Sequence, residues 1–177
     1  MNNLITGVGV LLLTVFSSIS LAENSPQGKV IAGWVEKVSF DNNNFIVKAK
    51  LDSGAKTSSI FAVDIKKYKL KGDNWVDFNL VLQDKDEKVH KLAMSAPQAR
   101  KVKIKNHDGD HDRRVVVEIP FCFDGRSRKA EFTLADRSEY IYPVLLGRTF
   151  LKEVAIIDPD VTFLTTATCK PLKTSKH

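Results

Sequence analysis

Residues 45–55 read Phe45-Ile46-Val47-Lys48-Ala49-Lys50-Leu51-Asp52-Ser53-Gly54-Ala55, an apolar alternation that ends on a carboxylate. Phe45, Val47, Ala49 and Leu51 alternate with Ile46, Lys48 and Lys50, the period-2 pattern of a half-buried strand. Asp52 therefore stands where a strand leaves the core. Ser53 can donate a hydroxyl hydrogen bond to neighbouring backbone or to a twin loop, Gly54 permits close backbone approach, and Ala55 keeps space open beside the carboxylate. Such a loop suits a catalytic aspartate. By itself, Asp-Ser-Gly also fits an Asx-type turn that ends a strand.

A second stretch, Val144-Leu145-Leu146-Gly147-Arg148-Thr149-Phe150-Leu151, follows in the C-terminal part of the chain. With both stretches in this order, the sequence resembles the retropepsin-like aspartic proteases. Their signature is a hydrophobic residue followed by Asp-Thr/Ser-Gly-Ala, and an apolar-apolar-Gly-Arg-x-x-Leu segment closes the catalytic loop and begins a short C-terminal helix. The chain is similar, more closely, to the bacterial family labelled ATP-dependent zinc protease. That likeness rests on Gly33-Trp34-Val35-Glu36-Lys37-Val38, on Lys48 to Ser58 around Asp52, and on Leu145-Leu146-Gly147-Arg148 with Asp158-Pro159 after it. The label adds no chemistry, because the chain has no P-loop, no His-Glu-x-x-His helix and no Cys pair at zinc spacing. No metal and no other cofactor is expected.

The resemblance implies an all-β, retropepsin-like closed barrel with a flap hairpin and one short C-terminal helix, acting as an aspartic peptidase. Asp52, Ser53 and Gly54 would be the catalytic loop; Ala55, Lys56, Arg148, Asp108 and Gly109 would border the substrate. The aspartic mechanism needs two carboxylates close enough to share a proton, since like-charge proximity raises one pKa and separates acid from base. Only one Asp-Ser-Gly-Ala is present and no second Asp-Thr/Ser-Gly. The partner would then be Asp52 of a second copy, on the axis of a two-fold homodimer. Retroviral enzymes carry an acid where this chain has Lys56. Either Arg148 is left unneutralised and the cleft favours acidic peptide or amide-bonded substrates, or Arg148 pairs with another acid such as Asp64 or Asp158 and Lys56 points to solvent. The alternative in a different class is a non-catalytic peptide- or cell-wall-binding protein that keeps the fold.

Met1 to Ala22 carries no charged side chain, holds the apolar run Val8 to Phe16 and ends Ser20-Leu21-Ala22. It reads as a secretory signal peptide cleaved after Ala22, giving a periplasmic or secreted protein with no stable membrane insertion; the missing Lys or Arg in its first residues leaves an uncleaved anchor as the alternative. Residues 23–177 then form one domain. The formal net charge is +6. Aromatic residues do not interleave with the basic ones as nucleic-acid stacking platforms do, so no nucleic-acid partner is expected.

Strands are predicted at Gly33–Phe40, at Ser58–Ile65, at Trp75–Leu82 with Val76, Phe78, Leu80 and Leu82 inward, at His90–Ala96, at Val102–Lys105, at Val115–Phe121 and at Lys129–Leu134, with turns at Asp41–Asn44, Lys71–Asn74 and Asp124-Gly125. Asp108-Gly109 is a two-residue hairpin signal, which makes Val102–Val117 the candidate flap. Its lysines and those at Lys101, Lys103 and Lys105 would add positive charge over the cleft. His107-Asp108-Gly109-Asp110-His111-Asp112 has imidazoles four apart, but Gly109 argues against the helix that would converge them, and a solvated turn is expected. Cys122 and Cys169 are the only cysteines. They form either a disulfide, as an even count in an exported chain favours, or two buried thiols.

Overall fold

The alternating stretch Phe45–Asp52 is a strand, β2, with Val47, Ala49 and Leu51 buried. It is part of a computed structural model that describes residues 28–170 except 85, 87 and 106–110, and only the backbone of 104, 105, 111 and 112. Around β2 run β1 (Val30–Phe40), β3 (Ser58–Leu70), β4 (Asp73–Gln83), β5 (Val89–Lys105), β6 (His111–Phe123), β7 (Arg126–Ala135), β8 (Val144–Gly147), the helix α1 (Arg148–Val154) and β9 (Ala155–Thr162). The strands make one mixed sheet in the order β4-β5-β6-β7-β3-β8-β2-β1-β9, and further pairings of β4 with β3 and of β6 with β1 close it on itself as a ring. The architecture is all-β with one short C-terminal helix, as expected.

Three parallel pairs, β1 with β9, β2 with β8 and β3 with β7, thread the chain back through its own centre. The β2–β8 pair matters most, because its register sets Asp52 opposite Gly147. The core fills the ring with Val76, Phe78, Leu80 and Leu82 from β4 and with Ile60, Val117, Ile119, Phe132, Leu134 and Leu146. Phe121 stacks with Phe40 at 5.9 Å and meets Phe132 at 5.5 Å and Phe150 at 5.2 Å between ring centroids, so an aromatic cluster fixes α1 to the sheet.

Two strands are longer than their patterns suggest, for the same reason. β3 pairs with β7 and β8 over Ser58–Phe61 and with β4 from Ala62 onward, with a register shift between Val63 and Lys66, where Asp64 takes φ 55°. β5 joins the stretches read as separate strands: its first half pairs with β4, its second with β6, and the shift lies between Gln98 and Arg100. Each strand changes partner without ending and carries an irregularity close to that change, which breaks the apolar period. The turn at Asp124-Gly125 has φ of 53° and 66°, as a tight hairpin of that type requires.

Cys122 and Cys169 are bridged, across a sequence separation of 47. The bridge holds the segment after β9 against the β1–β2 turn. There Ser39 donates to the Ala167 carbonyl (2.7 Å), Asn43 donates to the Cys169 carbonyl (2.9 Å) and Asn43 Oδ1 accepts from Cys169 N–H (3.0 Å). Among the described residues no helix is long and apolar enough to cross a membrane. The segment read as a signal peptide lies outside the described residues.

Candidate active site

At the end of β2 the chain turns through Ser53, Gly54 and Ala55, and the Asp52 side chain folds back over that turn. Its Oδ1 accepts the N–H groups of Gly54 (2.9 Å) and Ala55 (3.2 Å). Its Oδ2 lies 3.3 Å from Lys50 Nζ, because residues two apart on a strand share a face. A Cβ on Gly54 would sit 3.1 Å from Oδ1, so the glycine keeps the carboxylate where it is. Partial burial pushes the Asp52 carboxyl up, but the hydrogen bond and charge of Lys50 and the two backbone N–H groups outweigh it and hold the group below its ordinary range.

The second stretch closes this loop from below. Gly147 N–H donates to Ser58 Oγ (3.1 Å), Arg148 N–H to the Ala55 carbonyl (2.8 Å), and Thr149 donates both its N–H (3.0 Å) and its hydroxyl (2.8 Å) to the Lys56 carbonyl. A Cβ at Gly147 would lie 2.6 Å from the backbone of Thr57, so only glycine allows β8 to pass this close.

Of the two expectations set for Arg148, pairing with Asp64 or Asp158 is not seen, and the guanidinium is left without a neutralising acid among the described residues. Its Nη1 donates to the carbonyls of Ser53 (2.7 Å) and Gly54 (2.8 Å), so it braces the catalytic turn through backbone. Asp64 is engaged with Asn79 and Lys91, and Asp158 accepts from Asp160 N–H, so neither acid neutralises Arg148. Its guanidinium is exposed and keeps its charge at the rim, and Lys56 is exposed beside it. Ser53 is exposed, and among the described residues its hydroxyl has no hydrogen-bond partner.

Arg137, which the sequence patterns do not reveal, is buried in the loop between β7 and β8 at 8 % exposure. It donates to the Tyr142 carbonyl (3.0 Å) and to Ser59 Oγ (2.8 Å), and its guanidinium lies over the Tyr140 ring. Burial lowers its pKa; the fields of Tyr140 and Asp52 act the other way, and that of Arg114 adds to the lowering. The buried cation thus stands within electrostatic reach of Asp52, and Arg114 reaches it from the hairpin of β5 and β6. In that hairpin Val102 pairs with Arg114 and Lys103 with Arg113. Successive residues of a strand face opposite sides, so Lys101 and Lys103 lie on the face away from Arg114. Arg114 is thus a described hairpin cation whose field reaches Arg137; the sequence pointed to Lys101, Lys103 and Lys105. Asp108 and Gly109, and the rest of the tip at 106–110, lie outside the described residues. So does most of the His107–Asp112 run; among the described residues no group of three or more His, Cys, Asp and Glu is placed to hold a metal.

An aspartate on a Ser-Gly-Ala turn, clamped by a Gly-Arg-Thr helix start at the end of a parallel strand, has the form of the turn that carries the carboxylate in the aspartic proteases this sequence resembles. Residues 31–168 match the RimB-like family, described as retropepsin-like aspartic endopeptidase RimB, and the chain belongs to this family of aspartic endopeptidases. A Legionella pneumophila protein of unknown function, Lpg0085 (DUF785), has a similar crystal structure: TM-score 0.64 and 31 % identity over 77 % of this chain and 98 % of that one. The fold is therefore retropepsin-like. Proteins named probable alpha-L-glutamate ligase are also similar. One from Shewanella pealeana is 34 % identical over 117 residues, 66 % of this chain and 25 % of that protein. One from Desulfotalea psychrophila is 35 % identical over 113 residues, 64 % and 24 % respectively. This chain thus spans about a quarter of the length of these curated relatives.

Proposed function

We propose that two copies of the chain each supply Asp52 and together hydrolyse peptide bonds in acidic chains, outside the cytoplasm. The observation that carries this reading is the isolation of Asp52, whose one charged contact among the described residues is a lysine. With a second Asp52 opposite, one carboxylate would be ionised and the other protonated. The ionised group takes a proton from water as the water oxygen attacks the carbonyl carbon, and the protonated group donates to the carbonyl oxygen; the proton taken from water then goes to the departing nitrogen as the C–N bond breaks, and a hydroxyl proton of the intermediate returns to the carboxylate that had donated. The unpartnered Ser53 hydroxyl supports a twin-loop contact. The axis of such a dimer would pass beside the turn.

The preference for acidic chains is supported by the cations around the carboxylate, Lys50, Lys56, Arg137 and Arg148. It is supported too by relatives named for joining glutamate, because a hydrolase acting on glutamate-rich chains is the chemical counterpart of such a ligase. The Cys122–Cys169 bridge and the uncharged Met1–Ala22 segment support an oxidising compartment. Amino-terminal sequencing of the protein from its native host should begin at Glu23; an intact Met1 in a membrane fraction would contradict export.

The test of function is cleavage of a glutamate-rich peptide and of its glutamine counterpart. The acidic peptide should be cleaved with the higher kcat/KM, and its advantage should shrink as ionic strength rises, because exposed charges are screened over about 10 Å at 0.1 M salt. Equal cleavage of both peptides at all salt concentrations would refute the acidic preference. Binding of the acidic peptide with no hydrolysis would refute the catalytic reading.

A further inference from the structure

Asp52 uses its two oxygens unequally. Oδ1 is held by two backbone N–H groups of its own turn, which cannot leave without refolding the loop. Oδ2 is the oxygen left to share a proton or to meet a water, and it is the one that Lys50 contacts, at 3.3 Å. An ammonium on that oxygen opposes the protonated form that one carboxylate of the dyad must take. Lys50 is also free to move. Its side chain is 42 % exposed, its four-carbon stem is flexible, and Asp52 is its one ion-pair partner among the described residues. Exposed pairs of this kind are weak and are exchanged easily for another carboxylate.

Of the other charges around this turn, Lys56 is exposed and makes no ion pair with Asp52, and Arg137 and Arg148 lack the freedom of Lys50. Arg137, from the β7–β8 loop, is buried and tied to Ser59 and Tyr142. Arg148, from the start of α1, is tied to the carbonyls of Ser53 and Gly54. Arg114, from β6, acts on Arg137 through its charge. From β8 the residue opposite Asp52 is Gly147, which brings no charge.

We propose that Lys50 is a substrate-responsive positioning residue, which holds the Asp52 carboxylate in the empty site and transfers to an acidic side chain beside the scissile bond, releasing the dyad to keep its shared proton. The inference rests on the acidic-substrate reading and deepens it: acidity is sensed through the proton affinity of the dyad as well as through attraction. A neutral substrate leaves Lys50 where it is, so the dyad loses its proton at lower pH and turnover fails earlier on the alkaline side.

The test is the pH profile of kcat for two peptides that differ only in Glu or Gln beside the cleaved bond, with the wild type, Lys50→Met and Lys50→Arg. In the wild type the alkaline limb for the Glu peptide should lie higher than for the Gln peptide, by about one unit or more, the scale on which one adjacent charge moves a carboxyl. Lys50→Met should raise the limb for the Gln peptide and bring the two together, and Lys50→Arg should restore the separation. Coincident limbs in the wild type, or a separation that persists in Lys50→Met, would overturn the proposal. Should Lys50→Met not fold, the Asp52 carboxyl carbon can be titrated by NMR in the wild type with uncleavable forms of both peptides. A rise with the Glu form alone is expected, and an equal response to both forms would overturn it. The acidic preference is read separately, from the kcat/KM ratio of the two peptides at one pH. Loss of that ratio defeats the substrate reading, while the effect of Lys50→Met on the Gln peptide still decides whether Lys50 controls the dyad.

Discussion

Glu36 and Asp52 are both held by backbone N–H groups, to different ends. Glu36 is fully buried and accepts from Gly33 N–H (2.6 Å), Leu164 N–H (2.9 Å) and both the N–H (3.0 Å) and hydroxyl (2.9 Å) of Thr165. Asp52 keeps one oxygen at the surface. Glu36→Gln turns two amide hydrogens toward donors and should lower stability by about 1–3 kcal/mol, the cost of unsatisfied buried groups, as read by urea unfolding. Asp52→Asn should leave the unfolding curve nearly unchanged and reduce hydrolysis by about 10³-fold or more, since it removes acid–base chemistry and keeps shape. The turn that holds Asp52 was legible because Asp-Ser-Gly-Ala is local. The role of Glu36 was not: it reads as one more member of an alternation, and its partners lie 128 and 129 positions away. Arg137 escaped for a related reason, as its loop has no periodicity and its partners Ser59 and Asp52 come from other elements.

The Asp52 turn is built by the junction of β8 and α1 as much as by β2. Because Gly147 faces Thr57 with no room for a Cβ, Gly147→Ala must push β8 away from the turn, which should cost about 1–3 kcal/mol as overpacking does and remove the register that sets Asp52 against Gly147. Urea unfolding and peptide turnover should therefore fall together in this variant, where Asp52→Asn separates them. Loss of turnover at unchanged stability would show that the close approach carries no strain. The short helix was legible through the retropepsin-like resemblance of the Gly-Arg stretch, and the turn at Asp124-Gly125 through its own residues. The single β5 was not, because a strand that exchanges β4 for β6 at an irregularity presents two unrelated faces to sequence periodicity.

The ring of strands is closed covalently as well as by pairing. Cys122–Cys169 ties β6 to the segment that covers the β1–β2 turn, and opening a loop with separation 47 should cost roughly 4 kcal/mol by chain entropy. Unfolding by denaturant with and without reductant checks this; coincident curves would show that the bridge adds nothing to the hydrogen bonds of Ser39 and Asn43. The central claim lies above the single chain, in a site completed by a second Asp52. It is tested most directly by forming mixed assemblies of wild-type and Asp52→Asn chains at fixed total concentration and measuring cleavage of an acidic peptide. If each site needs both carboxylates, activity follows the square of the wild-type fraction, and an equal mixture keeps about one quarter of it. Activity proportional to the wild-type fraction, with an equal mixture keeping about half, would show that one Asp52 suffices and would contradict the two-chain dyad.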